Sequence, residues 1–139
     1  MEFTRRETLA LGAGAALLTV VPFRAFAATT DELIAEFTGG AEMADAGVDL
    51  TAPEIAENGN TVPISVSAEG ASSILVLATG NPTPPVATFN FGPLAGSQTA
   101  STRIRLAGTQ DVVAVAKLAD GSFAKASKTV KVTIGGCGG

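Results

Sequence analysis

Asp111-Val112-Val113-Ala114-Val115-Ala116-Lys117-Leu118-Ala119-Asp120-Gly121-Ser122-Phe123 opens with a short apolar run and closes on an Asp-Gly pair. A run of that length, bounded by turn residues, has the dimensions of a strand rather than a helix. Asp-Gly supports a tight hairpin because its turn needs positive φ, which glycine adopts without strain. The chain then returns from Phe123 to Ile134, with Val130, Val132 and Ile134 opposite Lys131 and Thr133. Two antiparallel strands are therefore expected here, one largely apolar and one alternating.

The same period of two recurs toward the N-terminus. Thr102 to Ala107 alternates Ile104 and Leu106 with Arg103 and Arg105, and Val86 to Phe91 alternates Ala87, Phe89 and Phe91 with Thr88 and Asn90. Ser73 to Thr79 holds the unbroken Ile74-Leu75-Val76-Leu77, as expected of a strand covered on both faces. Thr61 to Ala68 places Val62, Ile64 and Val66 on one face, with Pro63 indicating an edge position or a strand start. Val48 to Thr51 is a further short candidate.

Before these strands one helix is expected, with Thr30 as N-cap, Asp31 and Glu32 in its first turn, and Gly39-Gly40 ending it. Leu33, Ile34 and Phe37 would form its apolar face. About seven short antiparallel strands after one helix give an all-β fold, an immunoglobulin-like β-sandwich over residues 28–134. The Cys pair and buried Trp of antibody domains are lacking, since the sequence has one Cys and no Trp.

Composition narrows the chemistry. The 139 residues are 46% hydrophobic and 16% charged, with a net charge of -4, which suits one packed domain and disfavours a nucleic-acid partner. There is no His, so Ser-His-Asp and Cys-His arrangements cannot be assembled within the chain. One Cys without His also rules out a structural zinc site. The acids Asp45, Asp49, Glu54 and Glu57 are scattered and read as solvated surface groups rather than an acid–base pair.

Residues 1–27 have the features of an export signal. Arg5-Arg6 precede an apolar run from Leu9 to Val21, followed by Pro22, Arg24 and Ala25-Phe26-Ala27. The paired arginines point to the twin-arginine route, Thr8 departing from its usual pattern, and the expected location is the periplasm after cleavage behind Ala27. A bilayer-crossing helix needs about 20 apolar residues, and this run is shorter and carries Gly12 and Gly14. Cleavage would leave six basic and eleven acidic residues, a net charge of -5.

Cys137 is the group with distinctive covalent reactivity, in the ending Gly135-Gly136-Cys137-Gly138-Gly139. A lone exported cysteine is buried, paired between chains, or functional. Flanking glycines argue against burial and favour a mobile arm, residues 135–139, that carries a bound group into narrow clefts. The competing reading is an exported structural or adhesion sandwich whose terminal cysteine forms an intermolecular disulfide. A linker cysteine does not need glycines on both sides. Ionisation of the thiol is disfavoured by the nearby carboxylate of Gly139, and the nearest cation along the chain is Lys131. An ordinary free thiol is therefore expected, activated only inside partner active sites.

The GGCGG ending, the paired arginines, Glu57-Asn58-Gly59-Asn60-Thr61-Val62-Pro63 and Asn81-Pro82-Thr83-Pro84-Pro85-Val86-Ala87-Thr88-Phe89 together resemble the SoxY family of sulfur carriers in bacterial thiosulfate oxidation. The resemblance implies a non-enzymatic carrier subunit, with the sulfur adduct on Cys137 and Gly135, Gly136, Gly138 and Gly139 as its arm. It also implies a heterodimer with a SoxZ-like sandwich and dealings with three enzymes. These are a c-type haem cytochrome (SoxAX-like), a manganese-dependent hydrolase (SoxB-like) and, in the complete pathway, a SoxCD-like sulfur dehydrogenase. Haem and manganese would belong to those partners, and this chain would bind no cofactor. Ile74 to Leu77 or the Phe89–Phe91 strand could contribute to the subunit interface, although each reads first as ordinary core.

Overall fold

The computed structural model describes residues 29–134, so the expected export signal and the expected carrier arm both lie outside the described residues. Helix α1 spans Thr30–Thr38, followed by strands β1 (Met43–Ala44), β2 (Asp49–Thr51), β3 (Ile55–Ala56), β4 (Val62–Ser67) and β5 (Ala71–Ala78). Strands β6 (Pro85–Asn90), β7 (Thr99–Ile104), β8 (Gln110–Leu118) and β9 (Phe123–Val132) complete the order. One sheet runs β1-β9-β8-β5-β6 with β3 also on β9, and the other runs β2-β4-β7.

All seven strands expected from the sequence form, with ends shifted by a few residues. The β8–β9 hairpin turns at Asp120-Gly121, where Gly121 has φ 85°. Asp120 accepts from the Ser122 hydroxyl and amide, and these hydrogen bonds hold its carboxyl below the ordinary aspartate value. β1 and β3 are additions to the expected set, and both pair parallel to β9, at Phe123–Ala124 and at Lys131–Val132 respectively. Two residues are too few for a period of two to show in sequence.

The two sheets enclose the main core. Val62, Ile64 and Val66 of β4 face Ile74, Val76 and Ala78 of β5 and Val112, Ala114 and Ala116 of β8. The alternate residues of the two apolar strands, Leu75, Leu77, Val113 and Val115, point to the other side and are buried beneath Ile34, Leu33 and Phe37 of α1. Continuous apolar character in β5 and β8 thus reflects a sheet covered twice, by a sheet and by a helix. Each fully buried Val, Leu or Ile among them contributes about 1.5–3 kcal/mol by leaving water. Ile74–Leu77 is taken up by these two cores, in line with the reading of that run as ordinary core. β6 remains an edge strand, with Phe89 and Phe91 partly buried against the main core.

One further expectation changes in detail. The N-cap of α1 is Thr29, not Thr30. Thr29 and Glu32 form a reciprocal capping box, with the Thr29 amide donating to Glu32 at 2.8 Å and the Glu32 amide to Thr29 Oγ1 at 3.3 Å. Gly39 closes the helix at φ 66°. Pro63 is the second residue of β4, at the strand start as expected, and because β2 pairs only with Ser65–Ser67, β7 is its one neighbour.

Candidate functional site: the root of the Gly-Cys-Gly tail

Cys137 and its four flanking glycines lie outside the described residues, and the site that can be built from coordinates is the end of the sandwich from which they depart. Regular pairing of β9 stops at Val132, yet its backbone stays bonded beyond that point. Lys131 N–H donates to Glu54 O at 2.9 Å, Thr133 N–H to Ala56 O at 3.0 Å, and Gly59 N–H to Ile134 O at 2.8 Å. The Thr133 hydroxyl adds a bond to Glu57 O at 3.2 Å. On the other flank, Val132 N–H donates to Thr109 Oγ1 at 3.0 Å. The chain is therefore held on both sides up to the residue that precedes Gly135. The sequence reading carried the last strand through Ile134; the side chain of Ile134 is instead 67% exposed.

Gly59 is the hub of this root. It is buried, donates to Ile134, and accepts from Leu106 N–H at 2.7 Å. The turn that presents it is local: Asn58 Oδ1 accepts from Asn60 N–H at 3.0 Å, a short-range bond that Asn makes readily. Leu106 is fully buried, so Gly59 ties the last described residues to the core through the two backbone groups of a single residue.

A second set of bonds fixes the segment that carries Leu106. Asn81 Nδ2 donates to Arg105 O at 2.8 Å, while Asn81 Oδ1 accepts from Ala107 N–H at 2.9 Å and from Gln110 Nε2 at 2.8 Å. Gln110 Oε1 in turn accepts from Gly80 N–H at 2.9 Å, and its Nε2 also donates to Gly108 O at 3.1 Å. Gln110 is 8% exposed, a buried polar side chain whose partners are all supplied, as burial requires. Among the described residues no buried side-chain nitrogen or oxygen lacks a partner.

The two motifs singled out in sequence, Glu57–Pro63 and Asn81–Phe89, thus meet at one end of the molecule through Gly59, Leu106 and Asn81. Thr109 and Gln110 complete the cluster and carried no sequence signal, because an isolated Thr-Gln before a strand looks like any loop. Glu54, Glu57, Asp45 and Asp49 are exposed. Among the described residues no group of three or more His, Cys, Asp or Glu is arranged to hold a metal ion.

With this geometry in view, the likeness to known proteins is specific. The family described as sulfur oxidation protein SoxY matches residues 34–137. The sulfur carrier protein SoxY from Chlorobium limicola f thiosulfatophilum superposes with a TM-score of 0.65 at 34% identity, over 73% of this chain and 90% of that one. A superoxide reductase (neelaredoxin) from Ignicoccus hospitalis follows at TM-score 0.55 and 19% identity, over 76% of this chain and 93% of that one. A putative superoxide reductase from Thermotoga maritima has TM-score 0.53 at 16% identity, over 69% of this chain and 89% of that one. The last two share the fold alone. No curated protein sequence matches the chain. A family match over most of the chain and a carrier structure at 34% identity agree, and the chain belongs to the SoxY family of sulfur-oxidation carriers.

Proposed function

We propose that this chain carries sulfur covalently on Cys137, in thiosulfate oxidation, and presents it to partner enzymes on the arm formed by Gly135, Gly136, Gly138 and Gly139. The observation that carries this reading is the bonded root: backbone hydrogen bonds run through Ile134, and the thiol stands three residues beyond among glycines. Three extended residues span roughly 10 Å. Glycine adds no side chain to that span, so a narrow cleft can close around it.

Loading joins the Cys137 sulfur to the sulfane sulfur of thiosulfate. The thiol loses its proton and an electron pair leaves to a c-type haem cytochrome of SoxAX kind, giving a thiosulfonate. A manganese-dependent hydrolase of SoxB kind then adds water across the bond to the sulfonate, releasing sulfate and leaving a persulfide. A SoxCD-like dehydrogenase oxidises the remaining sulfane where it is present. The haem and manganese reside in those partners, and a SoxZ-like sandwich completes the carrier. The chain itself contributes no imidazole base, having no His, and the thiol is of ordinary reactivity until it enters a partner. Export to the periplasm by the twin-arginine route, with residues 1–27 removed, places the carrier with these enzymes.

The test is intact-mass spectrometry without reductant, after incubation of the mature protein and its SoxZ-like partner with thiosulfate and the cytochrome. A mass gain matching bound thiosulfate, reversed by reductant and absent in Cys137→Ser, is expected. An unmodified monomer, or only a Cys137-linked dimer, beside demonstrably active cytochrome would favour the structural sandwich instead.

A further inference from the structure

The tail root is more elaborately bonded than a chain terminus requires. Termini of domains usually fray unless something holds them. Here the carbonyl of Ile134 is held by Gly59, the carbonyl of Gly59 by Leu106, and the segment around Leu106 by two bonds to the Asn81 side chain, which also accepts from the Gln110 side chain. Gln110 backs Asn81 and reaches Gly80, whose close approach leaves no room for a side chain: an added Cβ would lie 2.9 Å from Gln110 Cβ. These bonds lie at one end of the main core, which they reach through Leu106, while most of that core sits between β4, β5 and β8.

We propose that the Asn81–Gln110 clasp and the Gly59 turn are a positioning device for the carrier arm, fixing the point and direction in which the chain leaves the sandwich. The proposal rests on the reading of Cys137 as the loaded residue. With only about 10 Å between Ile134 and the thiol, an enzyme acting on Cys137 must bring its cleft mouth against this end of the sandwich. A tether that short has little slack, so a shift at its root limits where the thiol can reach, and misplacement of a reacting group by about 1 Å can cost about a hundredfold in rate. Asn81 and Gln110 act through the backbone of residues 105–110 and Gly59, and neither touches the thiol's own segment.

Asn81→Ala removes the three side-chain bonds. The expected result is a fall of about tenfold in kcat/KM for cytochrome-catalysed loading, with alkylation of Cys137 by iodoacetamide unchanged. Exchange protection at the Leu106 and Gly59 amides should fall in the same protein. Val66→Ala, a core truncation at the other end of β4, serves as a control with comparable loss of thermal stability. It should load at the wild-type rate at a temperature where both variants are folded. Asn81→Asp keeps the acceptor for Ala107 and Gln110 and loses the donor to Arg105, so its loading should be intermediate. Should Asn81→Ala not fold, the Asn81→Asp comparison decides. Wild-type loading in Asn81→Ala despite lost amide protection, or in Asn81→Asp, or an equal fall in Val66→Ala, would overturn the positioning role alone. A wild-type protein that does not load at all would remove the Cys137 reading and this inference with it.

Discussion

Gly80 is a glycine for a reason visible only in three dimensions. Its amide donates to Gln110 Oε1 at 2.9 Å, and an alanine there would push its methyl into the Gln110 stem rather than into a flexible end. Gly80→Ala should destabilise the protein by about 1–3 kcal/mol in urea unfolding, whereas an alanine at the open Gly92 meets nothing within 4 Å and serves as the comparison. Asp120 makes a prediction of a different kind. Its hydrogen bonds from Ser122 lower its pKa, so its contribution to the hairpin is complete above the ordinary carboxylate range. That contribution is lost as pH falls through the lower folded value. An NMR titration of the Ser122 amide should show a midpoint below that of an unstructured aspartate, and Asp120→Asn should abolish it.

At the scale of elements, helix α1 is held by its caps and by the cluster it covers. Thr29→Ala removes one side of the capping box and should cost about 1 kcal/mol. Leu77→Ala should cost about 2–5 kcal/mol, because Leu77 is fully buried between β5 and the helix face. Chemical denaturation of each variant checks both values. The helix and seven strands were legible because each carries a period or a punctuating residue: Gly39 at the helix end, Asp120-Gly121 at the hairpin, Val62-Ile64-Val66 along one face. The apolar run Ile74–Leu77 announced double coverage without saying by what, since covering partners come from distant sequence. β1 and β3 were illegible because two residues have no pattern. The capping box was readable as Thr29-x-x-Glu32, and choosing Thr30 as cap missed it by one position.

Across the whole molecule, two sheets and one helix share a packed interior, and under the proposed function the chemistry lies past its last described residue, Ile134. Among the described residues the acids are exposed, and no group of three or more His, Cys, Asp or Glu is arranged to hold a metal ion. Of the candidate site, Cys137 and its glycines were conspicuous in sequence because their composition differs so sharply from the strands before them. The root that holds them was not, because its bonds join Glu54–Gly59, Asn81, Thr109–Gln110 and Thr133–Ile134, segments far apart in the chain. The two motifs that pointed to the SoxY family proved to be neighbours there. The central claim is that the sulfur rides on Cys137, and peptide mapping tests it most directly. Mature carrier is loaded with sulfur-labelled thiosulfate and its partner cytochrome, then cleaved without reductant after Lys131. The account predicts label confined to the peptide beginning at Val132 and released by reductant; label elsewhere in the chain, or none beside active cytochrome, would contradict it.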